Sequence, residues 1–401
     1  MPNICIIPSG DRQGQANLIH HYCKIGWDVY LPEHGTGNLN WKKTATWPGL
    51  LCRSLKNPNY RNLDLHGFKR TEGNIFGEGR FIQLEDNGSL YEDRSIACEL
   101  IDFEKEKVSI DAFHTLRGMD DYLKSALALA KKYFPNAAWI SSTISPYSQT
   151  PPLGRVPENV CRMMPAKYVP DYSDKNFFDF YPSGFEFDLL NVKKDETPRT
   201  GFASFNHNFQ LRYPEEFRFF RKLNKKLRKH KISVPNFGGN TVGQGADIKY
   251  SQASFAKIDY TSLRERFLLF FRGSRHFHLT WPTLSVRNAA RKTAQIKASV
   301  VLKPNDYGGG VVWYSLISGT PIITHQRYVD ATNAQDIIIH NHNSIVVTTV
   351  DEAAKAILRL ERDEEYLNKL INGMRATYRK LVPPEYWEKF RVFIQKSLQQ
   401  D

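Results

Sequence analysis

The sequence predicts an α/β protein made of two doubly wound, Rossmann-like domains. Three observations lead there. The stretch from Ala298 to His325, ASVVLKPNDYGGGVVWYSLISGTPIITH, reads as strand, glycine loop, helix, glycine and strand, one βαβ unit. Residues 3–31 repeat that order of elements at the N-terminus. A chain of 401 residues also exceeds what one hydrophobic core sustains, because single cores stop growing at about 250–300 residues.

In chain order, Asn3 to Pro8 is a short buried strand with ICII at its centre. Ser9-Gly10-Asp11-Arg12-Gln13-Gly14 makes a turn, Ala16 to Ile25 an amphipathic helix closed by Gly26, and Trp27 to Leu31 a second strand. Between Pro32 and about Leu100 periodicity is weak, and only short strands and loops are expected. Such an insertion suits an acceptor-specific surface or plain structural padding. Val108 to His114 reads as a strand, Asp120 or Asp121 caps a helix over Tyr122 to Tyr133, and Ala137 to Ile144 follows as a strand. His114 thereby falls at a strand's C-terminal end, the edge at which open α/β sheets bind ligands. An isolated histidine equally suits a structural role. Pro146 to Tyr181, rich in Pro, Tyr and Phe, reads as irregular, and the polar Asn191 to Thr200, NVKKDETPRT, as the linker that ends a first domain of residues 1–195.

The second domain, residues 196–380, opens with Gly201 to Phe205 as a strand and Asn206 to Arg212 as a loop. Pro214-Glu215-Glu216 starts a helix, with proline and acids in its first turn. Its apolar face is Phe217, Phe220, Leu223 and Leu227, and Ile232 to Val234 is read as the next strand. Phe237 to Gly245 is a second glycine-rich loop. The FLLFF core of Arg266 to Arg272 suits a buried strand with Arg272 and Arg275 at its end, and a helix over Thr283 to Lys297 leads into the central stretch. There Ala298 to Leu302 is a strand stopping before Pro304. Gly308, Gly309 and Gly310 open the helix Val311 to Ile317, Gly319 caps it, and Thr320 to Thr324 is the next buried strand. Backbone N–H groups and the positive helix end make such a glycine loop an anion site, and glycine lets a diphosphate approach the backbone. A plain tight turn is the alternative reading. Ile345 to Thr348 is the last strand, Asp351 caps one long helix, and Pro383 to Leu398 is a closing helix within residues 381–401.

Composition narrows the class. No run of 18 apolar residues and no signal-peptide pattern at Met1 to Gly10 exist, so a cytoplasmic protein is expected. Cys5, Cys23, Cys52, Cys98 and Cys161 are odd in number and widely spaced, fitting neither a disulfide framework nor a zinc site. The net charge of +13 is local: residues 201–300 carry 19 Lys+Arg against 5 Asp+Glu, and Arg221 to Lys231 holds seven basic residues in eleven. Such a field attracts phosphates on a nucleotide, a nucleic acid or an anionic membrane, although a solubilising helix face accounts for it too.

The central stretch resembles the nucleotide-binding half of GT-B glycosyltransferases, especially family 4, over about the last 120 residues. In that family an acidic residue, a glycine-containing helix start, a second acidic residue and a closing Gly-Thr-Pro hold the donor sugar nucleotide. Aligned on Gly319-Thr320-Pro321, the first acidic position is Asp306 and the second is Tyr314, a departure that removes the ribose-binding glutamate. The resemblance implies a GT-B fold, two Rossmann-like domains with an interdomain cleft, and carries the donor-diphosphate clamp to Arg212, with Arg272, Arg275 and Lys303 as further donor-side candidates beside the three glycines. It makes the loop with Ser9, Gly10 and Gly14 a wall of the acceptor side and gives His114 the task of reaching the transferred sugar. Asp111 and Asp120 are the carboxylates available as a base if transfer inverts the anomeric centre. Trp387-Glu388 matches the closing helix that crosses back to the first domain in such chains.

The expected activity is therefore sugar transfer from a nucleotide-diphosphate sugar, a co-substrate rather than a cofactor, to a hydroxyl. Helix and arginines stabilise the leaving diphosphate, no metal is required, and the resemblance implies retention of configuration. The acceptor expected from the charge is polyanionic, such as modified DNA, or sits at an anionic membrane. A nucleotide-sugar epimerase on the same fold and a non-catalytic nucleic-acid-binding protein are the alternatives. A nicotinamide dehydrogenase is disfavoured, because Pro8 to Gly14 lacks a full Gly-x-Gly-x-x-Gly.

Overall fold

Short apolar segments that are buried on both sides become parallel strands here, and the computed structural model assigns them to two units. It describes residues 2–7, 21–22, 25–32, 50–54, 69–70, 81–85, 95–102, 107–116, 131, 134–143, 159–162, 175–179, 198–206, 209, 213–237, 280–281, 286–302, 310–331 and 334–399. The first unit comprises Met1–Asn87, Asp93–Leu189 and Val382–Asp401, and the second Gly88–Glu92 and Leu190–Leu381.

In the first unit, β1 (Asn3–Ile7), β2 (Asp28–Pro32), β3 (Leu50–Ser54), β4 (Lys69–Arg70), β5 (Phe81–Glu85), β6 (Ser95–Asp102), β7 (Ala112–Leu116), β8 (Ala138–Thr143), β9 (Asn159–Arg162) and β10 (Asn176–Asp179) form one sheet. Their order is β10-β9-β8-β7-β1-β2-β3-β6-β5-β4. Neighbours from β10 to β2 run parallel, and those from β2 to β4 antiparallel. One segment differs from expectation and another agrees with it. Residues 146–181 contain β9 and β10, each four residues long and too short to show a period. The weakly patterned 32–100 contributes four antiparallel strands that extend the sheet.

The closing helix, Tyr386–Leu398, completes this unit's core. Its Tyr386, Phe390, Phe393 and Ile394 join Ile4, Ile6, Tyr22, Trp27, Ile140 and Phe178 in one buried cluster. Asn176 on β10 donates from Nδ2 to the Phe393 carbonyl at 3.1 Å and to Ser397 Oγ at 3.0 Å. Trp387 lies against the His21 ring, centroids 4.7 Å apart, and Glu388 pairs with Arg391.

The second unit runs β11 (Phe202–Ala203), α1 (Pro214–Leu227), β12 (Asn236–Phe237), β13 (Thr280–Trp281), α2 (Val286–Gln295), β14 (Ala298–Val301), α3 (Gly310–Ser318), β15 (Ile322–His325), α4 (Gln326–Ala331), β16 (Ser344–Val347), α5 (Val350–Arg362) and α6 (Glu364–Leu381). Strands β11, β14, β15 and β16 are parallel neighbours in that order, β12 pairs in parallel with β13, and a parallel bridge from Ser204 to Asn236 joins the two sets. Across the sheet the order is therefore third, second, first, fourth, fifth, sixth, that of a dinucleotide-binding domain.

Local signals set the helix ends. Gly319, at φ 69°, closes α3 as a Schellman cap: its N–H donates to the Leu316 carbonyl at 3.2 Å and the Thr320 N–H to Ser315 at 2.8 Å. The helix at 351 is capped by Thr349, whose Oγ1 accepts from Glu352 N–H at 3.2 Å, while Asp351 pairs with Lys226. What reads as one long helix is two, because Asp363 breaks it and its carboxylate accepts the Tyr366 N–H at 2.9 Å. No strand forms at 232–234. The chain leaves α1 through a 3-10 turn, Arg228–His230, and a left-handed Lys231 at φ 58°, so the strand starts at Asn236.

Two substitutions probe this packing. A Cβ on Gly373 of α6 would overlap the His342 carbonyl, where two backbones touch. Gly373→Ala is expected to lower stability by on the order of 1–3 kcal/mol, through the overpacking it forces. Phe390→Ala, which empties the centre of the first unit's cluster, should cost about 3–5 kcal/mol. Urea melts followed by far-UV circular dichroism check both.

Candidate functional site

The topology of the second unit selects one place for a ligand. β11 and β14 are neighbours, yet the chain leaves β11 toward β12 on one side and leaves β14 toward β15 on the other. Right-handed crossovers then carry α1 and α3 to opposite faces, and a crevice opens beyond the C-terminal ends of the two strands. The glycine stretch of the sequence falls between β14 and α3, and residues 204–213 fall between β11 and α1.

Buried amides hold the exit from β11. The Asn206 N–H donates to Asn236 Oδ1 at 2.8 Å, Asn236 Nδ2 returns to the Asn206 carbonyl at 3.0 Å, and Asn206 Nδ2 reaches Ser204 Oγ at 2.9 Å. Both side chains are buried, so each amide group left unpaired would cost free energy, and the network fixes the backbone where the loop begins. Neither residue is conspicuous in the sequence; the only signal is an asparagine at the end of each of two short apolar runs.

On the other side of the crevice, α3 starts at Gly310 and is buried from Val312 to Ser318, packed against α2 and α6. The first four N–H groups of any helix lack intrahelical partners, and burial keeps water from screening the positive end. At the opposite end, Arg199 Nη2 donates to the Ser318 carbonyl at 2.6 Å, and Nη1 reaches Thr320 Oγ1 and the Ile296 carbonyl. Thr320 Oγ1 donates in turn to the Thr293 carbonyl at 2.7 Å.

The end of β15 adds a cluster that sequence reasoning missed. His325 Nδ1 accepts the Arg327 N–H at 3.1 Å, so its proton sits on Nε2, which donates to the Thr348 carbonyl at 2.9 Å. Burial and the nearby Arg327 charge lower its pKa, and the ring is neutral. Glu216 on α1 is buried and accepts from Arg327 Nη2 at 2.8 Å and from the Tyr328 hydroxyl at 3.0 Å. This cluster ties α1 to α4, the short helix that follows β15, along the strands' C-terminal edge.

Of the residues proposed from sequence, Gly310 is the first residue of α3, and Tyr314 is a buried residue one turn in, whose carbonyl accepts from Ser318 Oγ. Ser9, Gly10, Gly14, Asp120, Arg212, Arg272, Arg275, Lys303, Asp306, Gly308 and Gly309 lie outside the described residues. The remaining two are placed differently from expectation. The strand carrying His114 is Ala112–Leu116, so His114 sits mid-strand, fully buried, with Nδ1 bonded to the Tyr22 hydroxyl at 2.7 Å and Nε2 to Ser142 Oγ at 2.6 Å. Asp111 precedes that strand, at the edge opposite the ligand edge, and its carboxylate accepts the Asn3 N–H at 2.6 Å. Among the described residues no group of three His, Cys, Asp or Glu is placed to hold a metal ion, and no helix is long and apolar enough to cross a membrane.

Taken with this topology, solved structures define the class: the fold is that of the GT-B glycosyltransferases. The chain is similar to the pneumococcal O-GlcNAc transferase GtfA, solved with UDP and GlcNAc, at 10% identity and TM-score 0.54, covering 100% of this chain and 99% of that one. It is also similar to sucrose-phosphate synthase of Thermosynechococcus elongatus (13% identity, TM-score 0.51, 99% of each chain) and to a glycosyltransferase of Rickettsia africae (11%, 0.51, 100% and 99%). No family model and no curated protein sequence matches the chain.

The buried His114 makes a pH prediction. Desolvation, with His21 nearby adding to it, pushes its pKa from 6.5 down to about 3. The unfolded chain therefore binds more protons between those values. Stability from the neutral ring is complete above pH 6.5 and falls as the pH drops toward 3, by about 1.4 kcal/mol per pH unit. His114→Gln should remove that part of the slope in urea titrations run at stepped pH; an identical slope in the variant would disprove the assignment.

Proposed function

We propose that this chain is a glycosyltransferase that moves a sugar from a nucleotide-diphosphate donor to a hydroxyl acceptor, with the donor diphosphate at the switch point of the second unit. One observation carries the reading: α3, a helix buried around most of its length, begins at that switch point immediately after the glycine stretch of the sequence. The relative solved with UDP and GlcNAc supports the same class of donor.

In this reading, the bond from the anomeric carbon to the diphosphate breaks as the acceptor oxygen attacks, and negative charge grows on the departing phosphate oxygens. N–H groups of Gly308, Gly309 and Gly310 and the positive end of α3 meet that charge, with Arg212, Arg272, Arg275 and Lys303 as the cations available beside them. Preorganised donors need no reorganisation as the charge develops, so their contribution falls on the transition state. The scheme needs no metal ion. Asp306 is the acidic group nearest in sequence to the sugar side of the loop. His114 is assigned to the fold of the first unit rather than to the sugar, because both its ring nitrogens are already bonded inside the core.

Thermal stabilisation against a panel of nucleotide sugars tests the proposal. A donor at 100 times its dissociation constant stabilises by about 2.7 kcal/mol. Gly309→Val should abolish that shift while leaving the unliganded melting temperature within a few degrees. Retention of the full shift by the variant would refute the glycine-loop assignment. Incubation of donor without acceptor separates the epimerase alternative, which converts donor to its epimer with no acceptor present.

A further inference from the structure

From Arg218 to Lys231 the chain carries eight Lys and Arg residues and no acid. The roll of α1 is fixed by Phe217, Phe220, Leu223 and Leu227, all buried at 2% exposure or less. Arg218, Lys222 and Lys225, spaced by four and three, therefore share the opposite face, Lys229 follows in the 3-10 turn, and all four are exposed. Arg221 and Arg228 are exposed along one flank. Of the eight, Lys226 pairs with Asp351, and among the described residues no carboxylate pairs with the other seven.

This arrangement carries a cost that solubility does not require. Arg218 and Lys222, Arg221 and Lys225, and Lys222 and Lys226 are like charges at i,i+4, each pair destabilising the helix. A mixed-sign surface would keep the protein in solution without that repulsion. A bound polyanion relieves it.

We propose that α1 is a docking strip for the phosphate backbone of a nucleic-acid strand. Its shape is a line: Arg218 to Lys229 spans about 16 Å at 1.5 Å per residue. Asp351 of α5 pairs with Lys226 at its flank. A bilayer is the less suitable partner, because interfacial helices bind through an apolar face laid into the lipid and α1 has its apolar face in the protein core. The described large hydrophobics that are exposed, Phe177, Ile339 and Val392, lie outside α1. Phosphate contacts of this kind give affinity without sequence choice, through counterion release. The proposal does not rest on the glycosyl-transfer reading.

Fluorescence anisotropy of a labelled duplex DNA with the full chain, from about 50 to about 200 mM salt, tests it. The strip variant is Lys222→Gln, Lys225→Gln and Lys229→Gln together. The control removes the same charge from α6 of the same unit by Lys369→Gln, Arg379→Gln and Lys380→Gln, all exposed. Neither set touches a buried residue, and Lys225→Glu alone serves as a second strip variant should the triple one melt early. Expected results are a loss of about tenfold or more for the strip variant, less than about twofold for the control, and a slope of log K against log salt reduced by about 2.7. Equal weakening by the control would show that overall charge binds DNA and would overturn the strip. So would wild-type protein that binds vesicles of phosphatidylserine and phosphatidylcholine but not the duplex.

Discussion

The second unit depends on one constraint of parallel sheets: two neighbouring strands whose crossovers go to opposite faces must leave a gap beyond their C-terminal ends. In this chain the strands are β11 and β14. Nothing in the gap needs to be carved by side chains. Strand pairing sets the points from which the chain departs at both strand ends. The Asn206–Asn236 exchange acts at this point, holding the end of β11 to β12 by side-chain amides where the ladder between them is only a bridge.

Helix α3 is held unequally at its two ends. Its C-terminus is closed three times over, by the Gly319 Schellman bonds, by Arg199 on the Ser318 carbonyl, and by the Ser318 and Thr320 hydroxyls on each other at 2.8 Å. A guanidinium beside a helix C-terminus complements the negative end of the dipole. The positive end, at Gly310, lies at the switch point. Fixing one end so firmly aims the other, and an anion site gains from donors that cannot turn away. Thr320 of Gly-Thr-Pro anchors the helix from the N-terminal edge of the sheet, away from Gly310.

Much of this was legible in the sequence where local rules decide the outcome. Gly319 announced a cap, Pro214 and its two glutamates a helix start, and the apolar 298–302 a strand, because each depends on residues within one turn. Elements held by distant partners were not legible. β9 and β10 are four residues each, and Asn176 finds its acceptors 217 and 221 positions away on the closing helix. His114 illustrates the same limit for function. The strand runs two residues past it, and the Tyr22 and Ser142 hydroxyls from elsewhere in the chain bond both nitrogens of its buried ring. Glu216, His325 and Arg327 went unnoticed because their meeting joins α1 to the end of β15, 111 residues apart in the case of Arg327 and Glu216.

The closing helix also binds the first unit's core to residues far along the chain. Phe390 is wholly buried between the rings of Tyr22 and Phe178, at centroid distances of 5.4 and 5.1 Å, so the first unit keeps a large apolar face open until the C-terminal residues arrive. The second unit contains its core within one continuous run of chain apart from 88–92, and its strand order needs no residue beyond Leu381. An uncovered cluster of Ile4, Ile6, Trp27 and Phe178 is the surface on which an incomplete chain would aggregate.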